Sequence, residues 1–280
     1  MDFKKFLELM MIEQTFFALP FALLGVLFAG GGSFRVWFFV IIAMVAARTA
    51  GMSFNRVIDA GIDAKNPRTR DRLIPKGEVR PKTVWLTAII SSFVLVAASF
   101  MLNRICFYLS FPAVFLLFTY SYFKRFSASS HFYLGFVEAV APIGGYLAVT
   151  GKFTQVPFVL GLVILTWIAG LDIVYALQDM EFDAEEDLHS IPVRLGKKTA
   201  LLISAACYAV SISAMTYAGL ITHKNGYYWV AVVSVSLIFL YQQRLARRQD
   251  ITEAVKIFFK VNMYISPILF LGTLTDVFFS

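Results

Sequence analysis

Arg48-Thr-Ala-Gly-Met-Ser-Phe-Asn55-Arg-Val-Ile-Asp59-Ala-Gly-Ile-Asp63 closes one apolar segment of the chain, and Leu171-Asp172-Ile-Val-Tyr175-Ala-Leu-Gln178-Asp179-Met-Glu181-Phe-Asp183-Ala-Glu-Glu-Asp187 closes another. A helix advances by about 100° per residue, so Asn55, Asp59 and Asp63 fall on one face, with Arg48 about 20° away. Asp179, Asp183 and Asp187 repeat that step of four, with Asp172 seven residues before Asp179. Carboxylates four apart repel each other; a shared cation reverses the sign. Asp59 and Asp183, the centres of the two runs, are 124 residues apart. That spacing fits a weak internal repeat of four helices, present twice and followed by a ninth. Packed about a pseudo-twofold axis, the two acidic runs face each other.

The segments around these runs decide the class. Of 280 residues 59% are hydrophobic and only 15% charged, with a mean hydropathy of +0.71. Soluble domains have roughly 45 to 50% apolar and about 25% charged residues, so a soluble enzyme, a disordered chain and a collagen-like chain are all excluded. An all-α integral membrane protein is expected. A span needs about 20 mostly apolar residues. Stretches free of formal charge run over Gln14 to Phe34, Thr83 to Asn103, Ile105 to Phe123, Phe153 to Leu171, Thr199 to Thr222, Asn225 to Gln243 and Val261 to Thr275. Two interrupted ones, Val36 to about Asn55 across Arg48 and Phe126 to Gly151 across Glu138, bring the expected bundle to nine transmembrane helices in one domain, 1–280.

Basic residues favour cytoplasmic loops. With the N-terminus inside, twenty of the 25 fall on the inner face, against Arg35, Arg104, Lys152 and Lys224 outside, while Arg48 lies within a span. The excess of +7 is thereby read as orientation, with no nucleic acid partner. Arg244, Arg247 and Arg248 form an inner anchor for anionic headgroups of membrane lipids. Cys106 and Cys207, inside apolar runs, read as small buried hydrophobes. No small-residue cleavage site follows the first apolar stretch, so a removed signal peptide is not expected. Two inner connections, Arg56 to Lys82 and Asp172 to Lys198, are long and charged, which places the chemistry on the cytoplasmic side.

Hard oxygen ligands on opposed helices, with basic residues close by, suit Mg²⁺ shared with a diphosphate. The bases follow the first run directly in Lys65-Asn-Pro-Arg68-Thr-Arg70-Asp-Arg72-Leu-Ile-Pro75-Lys76-Gly77, and guanidinium forks fit phosphate oxygens. His131, His189 and His223 are scattered over both faces, so neither a zinc nor a haem site is expected.

Over nearly the whole chain these features resemble the UbiA superfamily of intramembrane prenyltransferases. The likeness rests on Asn55-x-x-x-Asp59-x-x-x-Asp63 after the second span and Asp179-x-x-x-Asp183 after the sixth. Around these stand Arg68-Thr-x-x-Arg72-x-x-Pro75-x-Gly77, Tyr120-x-x-x-Lys124 and Tyr175-Ala-x-x-Asp179. Glu13-Gln14-Thr15 through Pro20, with Leu188-His189-Ser190-Ile191-Pro192, resembles the branch of 4-hydroxybenzoate polyprenyltransferases. Departures are Arg56 after Asn55, Leu-Ile between Arg72 and Pro75, and Gln178 before the second run.

The resemblance implies Mg²⁺-dependent transfer of a prenyl chain from a polyprenyl diphosphate to a hydroxy-aromatic acid acceptor, 4-hydroxybenzoate or a dihydroxynaphthoate, in ubiquinone or menaquinone synthesis. It assigns Asn55, Asp59, Asp63, Asp179 and Asp183 to metal and diphosphate, and Arg68, Arg72 and Lys124 to phosphate. Arg48 is read as holding the acceptor's carboxylate or a phosphate oxygen, and Tyr120 and Tyr175 as orienting the ring or bonding the diphosphate. Asp187 lies beyond the family's shorter motif. Glu138, an acid inside a span, is a functional candidate or a neutralised core acid. Haem, chlorophyll-type or glyceryl phosphate acceptors are alternatives within the family, and a cation-coupled secondary transporter is the alternative outside it.

Overall fold

The computed structural model describes residues 3–247 and 251–279, all helix or connecting turn. Arg248 of the expected lipid anchor lies outside the described residues. A short amphipathic helix α1 (Phe3–Met10) precedes α2 (Ile12–Phe28), α3 (Phe34–Ile58) and α4 (Ala60–Lys65). Next come α5 (Pro81–Leu102), α6 (Arg104–Phe123), α7 (Ser130–Thr150), α8 (Gln155–Ala176) and α9 (Met180–Glu185). The chain finishes with α10 (Ile191–Ile221), α11 (Gly226–Leu245), α12 (Ile251–Asn262) and α13 (Ile265–Phe278).

Among the described residues, seven stretches are long and apolar enough to cross a membrane: α3, α5, α6, α7, α8, α10 and the run Glu253–Phe278 that joins α12 to α13. The nine expected spans include two more helices of the same bundle. One is α2, whose apolar part is the shorter Leu19–Phe28; the other is α11. α2 packs on α7 and α13, and α11 on α13 and α10. Because α13 touches both α2 and α11, the last helix joins the two ends of the bundle.

Local chemistry sets the boundaries. The span expected to reach Phe34 stops at Phe28, because Gly30 and Gly31 follow in the left-handed region at φ 90° and 84°. Asn103 caps α6 by accepting a 2.9 Å bond from the Cys106 amide. Pro81 and Pro192 sit in the first turns of α5 and α10, where a missing N–H costs nothing. α10 starts eight residues before the expected Thr199, and Gly196, at φ 76° and ψ 162°, kinks it between the two parts.

The order long helix, short helix, long helix occurs twice, as α3–α4–α5 and α8–α9–α10, in line with the repeat read from the acidic runs. One helix, α7, is held at backbone contact by its neighbours. A Cβ on Gly145 would lie 2.0 Å from the Ala22 carbonyl oxygen of α2, and one on Gly135 2.2 Å from that of Leu165 on α8. Without a hydrophobic drive between helices in lipid, such small-residue contacts are what holds them together.

Candidate active site

Each acidic run straddles a break in its helix. Asp59 takes φ −89° and ψ 0° between α3 and α4, and Asp179 takes φ −102° and ψ 6° ahead of α9. The spacing of four survives the break, because the Asp63 amide donates to the Asp59 carbonyl at 2.8 Å and the Asp183 amide to that of Asp179 at 2.7 Å. Asp187 does not continue the second run. It lies beyond the end of α9 at φ +53°, so the helical face that would have carried it has ended.

The acids do not gather around a vacant centre. Among the described residues no three His, Cys, Asp or Glu side chains come together as a metal cluster, and three of the four aspartates hold a base instead. Lys124 Nζ lies 2.8 Å from Asp59 Oδ2, with Arg125 Nη2 3.4 Å from Oδ1. Arg72 Nη1 reaches both oxygens of Asp63 at 2.8 and 2.7 Å. Arg68 makes a fork with Asp179, Nε to Oδ1 at 2.9 Å and Nη2 to Oδ2 at 2.6 Å, and also donates to Tyr175 Oη at 2.5 Å. Burial works against the charge of Arg68, but the hydrogen bonds and negative charge of Asp179 and Tyr175 together outweigh it and raise the guanidinium pKa.

Asp183 is the exception, with no ion pair among the described residues. Burial, and then the neighbouring Asp179 carboxylate, push its pKa up to about 6. Asn55 donates to Asp59 Oδ2 at 2.9 Å and to Ser121 Oγ at 3.3 Å. The donor set therefore fits Mg²⁺ with a diphosphate: four carboxylates supply hard oxygens, and three of the bases now paired with them are the groups a diphosphate needs.

Several site residues escape a reading of the sequence. Asn66 shapes the basic loop by accepting from the Arg68 amide at 2.8 Å and donates to Asp179 at 3.1 Å; its place before a proline was the available signal. Arg125 adjoins Lys124. His131 is not idle: its Nδ1 meets Asp172 Oδ2 at 2.7 Å, while its Nε2 accepts from the Ile191 amide at 3.2 Å. That acceptor role puts the proton on Nδ1, facing the carboxylate. His131 thus ties α7 to α8 and to the start of α10, fixing both ends of the segment that carries Asp179 and Asp183.

Beneath the charged end lies a cavity of about 1200 Å³, counting the part that opens outward, walled by α2, α3, α5, α6 and α7. Its lining is mostly Ala, Val, Leu and Met, with Arg48, Tyr120 and Glu138 as the strongly polar groups. Tyr120 donates to the Gly51 carbonyl at 3.3 Å, and Arg48 Nη1 to Glu138 Oε1 at 3.3 Å. The expected acceptor residues therefore separate, with Tyr175 among the phosphate-type bases and Arg48 and Tyr120 in the cavity wall.

A charged mouth set on an apolar chamber within a helical bundle defines an intramembrane enzyme for amphiphilic substrates. The chain belongs to the UbiA prenyltransferase family, whose model matches residues 18–265, and it is a prenyltransferase. The 4-hydroxybenzoate octaprenyltransferase of Methylobacillus flagellatus is 28% identical to it over 87% of this chain and 82% of that one. That of Vibrio campbellii is also 28% identical, over 95% and 92%. A solved UbiA homolog from Aeropyrum pernix superposes with a TM-score of 0.88 at 28% identity, covering 95% of this chain and 98% of that chain. An Archaeoglobus fulgidus homolog bound to GPP and Mg²⁺ shares the fold at a TM-score of 0.68 and 18% identity, over 96% and 99%.

Proposed function

We propose that the protein transfers a polyprenyl chain from its allylic diphosphate to a ring carbon of a hydroxy-aromatic acid, 4-hydroxybenzoate or a dihydroxynaphthoate, in quinone synthesis. The observation that carries this reading is the set of Arg68–Asp179, Arg72–Asp63 and Lys124–Asp59 pairs placed over a single apolar cavity. The names of the relatives support the acceptor class.

In this mechanism Arg68, Arg72 and Lys124 leave their carboxylates for the phosphate oxygens, and Asp59, Asp63, Asp179 and Asp183 with Asn55 hold Mg²⁺. Mg²⁺, when bound, neutralises part of the charge of the diphosphate. As the allylic C–O bond breaks, the preplaced bases stabilise the charge growing on the leaving group. The tail lies along the apolar wall of α5 and α6. Tyr120, held against Gly51, and Arg48 orient the acceptor on the α3 side, where the apolar lining keeps water from the allylic cation. The charged end faces the cytoplasm, following the bias of basic residues to that face.

The test is a panel of 4-hydroxybenzoate, 1,4-dihydroxy-6-naphthoate and 1,4-dihydroxy-2-naphthoate, each offered with one polyprenyl diphosphate and Mg²⁺, the products being read by mass. One prenylated aromatic acid is expected. Release of diphosphate with no prenylated aromatic from any of them would sink the reading. A transporter is not favoured, because the two acidic runs lie at helix ends rather than along a pathway through the bundle.

A further inference from the structure

Glu138 lines the cavity, and the mechanism above leaves it without a task. It stands inside α7, a span, where a charge is costly and a role is the default expectation. Its side chain is 19% exposed and that of its partner Arg48 15%, so the pair bridges α3 and α7 across a largely apolar cavity. Depth along the cavity follows from the rise of a helix. Arg48 is seven residues before Asn55 on α3, about 10 Å further from the charged end, and Gly51, which holds Tyr120, is about 6 Å from it. Descending from Asn55 at the charged end, the cavity wall presents first Tyr120 and then Arg48 with Glu138.

An aromatic ring attacked at the level of Tyr120 therefore lies directly above the Arg48–Glu138 pair. Forming the carbon–carbon bond leaves the ring with one proton too many, in a chamber built to exclude water. Among the described lining residues, Arg48 is a cation, Tyr120, Ser99, Ser110 and Cys106 are neutral donors, and Glu138 is the carboxylate. Its counter-charge, the Arg48 guanidinium, is 3.3 Å away. An arenium ion is so strong an acid that the position of the acceptor matters more than its basicity.

We propose that Glu138 is a catalytic residue, the acceptor of the proton that the aromatic ring loses after prenylation. This rests on the reading of the reaction given above. The allylic C–O bond breaks with its electron pair leaving on the diphosphate, and a ring π pair forms the new C–C bond. The ring C–H electrons then return to the ring as the proton passes to a Glu138 oxygen. Departing diphosphate or solvent at the mouth takes that proton, which restores the carboxylate.

The test compares wild type with Glu138→Gln, near-isosteric and uncharged, and Glu138→Asp, using acceptor with hydrogen or deuterium at the reacting ring position. Proton loss is fast in the wild type, so no isotope effect on kcat is expected there. The Gln variant loses about a hundredfold or more in kcat, keeps the KM for polyprenyl diphosphate, and shows a primary isotope effect because proton loss has become limiting. The Asp variant recovers part of kcat. A Gln variant with wild-type kcat overturns the assignment, as does a slow one without an isotope effect. If the Gln variant forms no measurable product or does not fold, recovery by Asp sustains the assignment and failure of Asp overturns it. A wild type that prenylates no aromatic acid would instead fell the reading of the reaction itself.

Discussion

Arg68 grips Asp179 through two parallel bonds of 2.9 and 2.6 Å although 111 residues separate them in the chain. The guanidinium also lies over the Tyr175 ring, 4.9 Å from its centroid. Lys65 and Glu186 make a second link between the same two segments at 2.5 Å. The basic loop that follows the first acidic run is thus docked on the second one, and the two halves of the repeat meet through opposite charges.

Arg68→Lys keeps the charge and loses the fork, so prenyl transfer should fall by about tenfold to a hundredfold with the protein still folded. Steady-state rates with purified protein, alongside thermal unfolding, check both parts. Wild-type kcat and KM in this variant would remove Arg68 from the diphosphate site.

Asp59→Asn and Asp183→Asn should each lower transfer by at least about a hundredfold and raise the Mg²⁺ concentration needed for half-activity. Chelation of divalent cations should abolish wild-type activity, and added Mg²⁺ should restore it. Either variant working at the wild-type rate in limiting Mg²⁺ contradicts the metal assignment.

The pKa of Asp183, raised to about 6 by burial and the Asp179 carboxylate, gives a pH dependence with a definite sign. Below that value a cation must displace a proton; above it the carboxylate is already ionised. Apparent Mg²⁺ affinity should therefore drop as pH falls through 6, by up to about tenfold per unit. Mg²⁺ titrations at several pH values test this, and the same slope in Asp183→Asn would show that another group is responsible.

His131→Ala strips the Ile191 amide of its acceptor and Asp172 of its partner, at a cost of about 1 to 3 kcal/mol. A lower unfolding temperature in detergent is expected, together with lower activity, since the segment bearing Asp179 and Asp183 loses its tether. An unchanged melting curve would mean that the tether adds nothing.

Neighbouring glycines should respond oppositely to one added methyl. A Cβ on Gly145 meets backbone 2.0 Å away, whereas one on Gly144 meets nothing within 4 Å and projects into the cavity. Gly145→Ala should destabilise the protein strongly and Gly144→Ala hardly at all, while Gly144→Phe should fold and transfer long tails poorly. Equal melting temperatures for the two alanine variants would refute the packing of α2 on α7.

Much of this was legible from spacing alone. Acids at steps of four near the ends of apolar runs located the charged mouth, because periodicity and hydropathy are local properties. Other features depend on contacts between residues far apart in sequence. Nothing near Glu138 announces Arg48, 90 residues away, and nothing near His131 announces Asp172 or Ile191. The breaks at Asp59 and Asp179 were hidden for a different reason: the spacing of four carries on across them, so the pattern reads as unbroken helix. Asp187 was misplaced because a face extrapolated from spacing takes no account of where the helix stops.

The end of the cavity away from the charged mouth is lined by Leu102, Cys106 and Leu147, and just beyond them the Asn103 amide is committed to the Leu147 and Ala148 carbonyls at 2.8 and 3.4 Å. Ions entering from the wet side meet an apolar dead end whose nearest polar group is already occupied, a barrier of the dewetting kind. A chamber wide enough for a lipid tail can thus stand open at one face without offering ions a continuous polar path to the other.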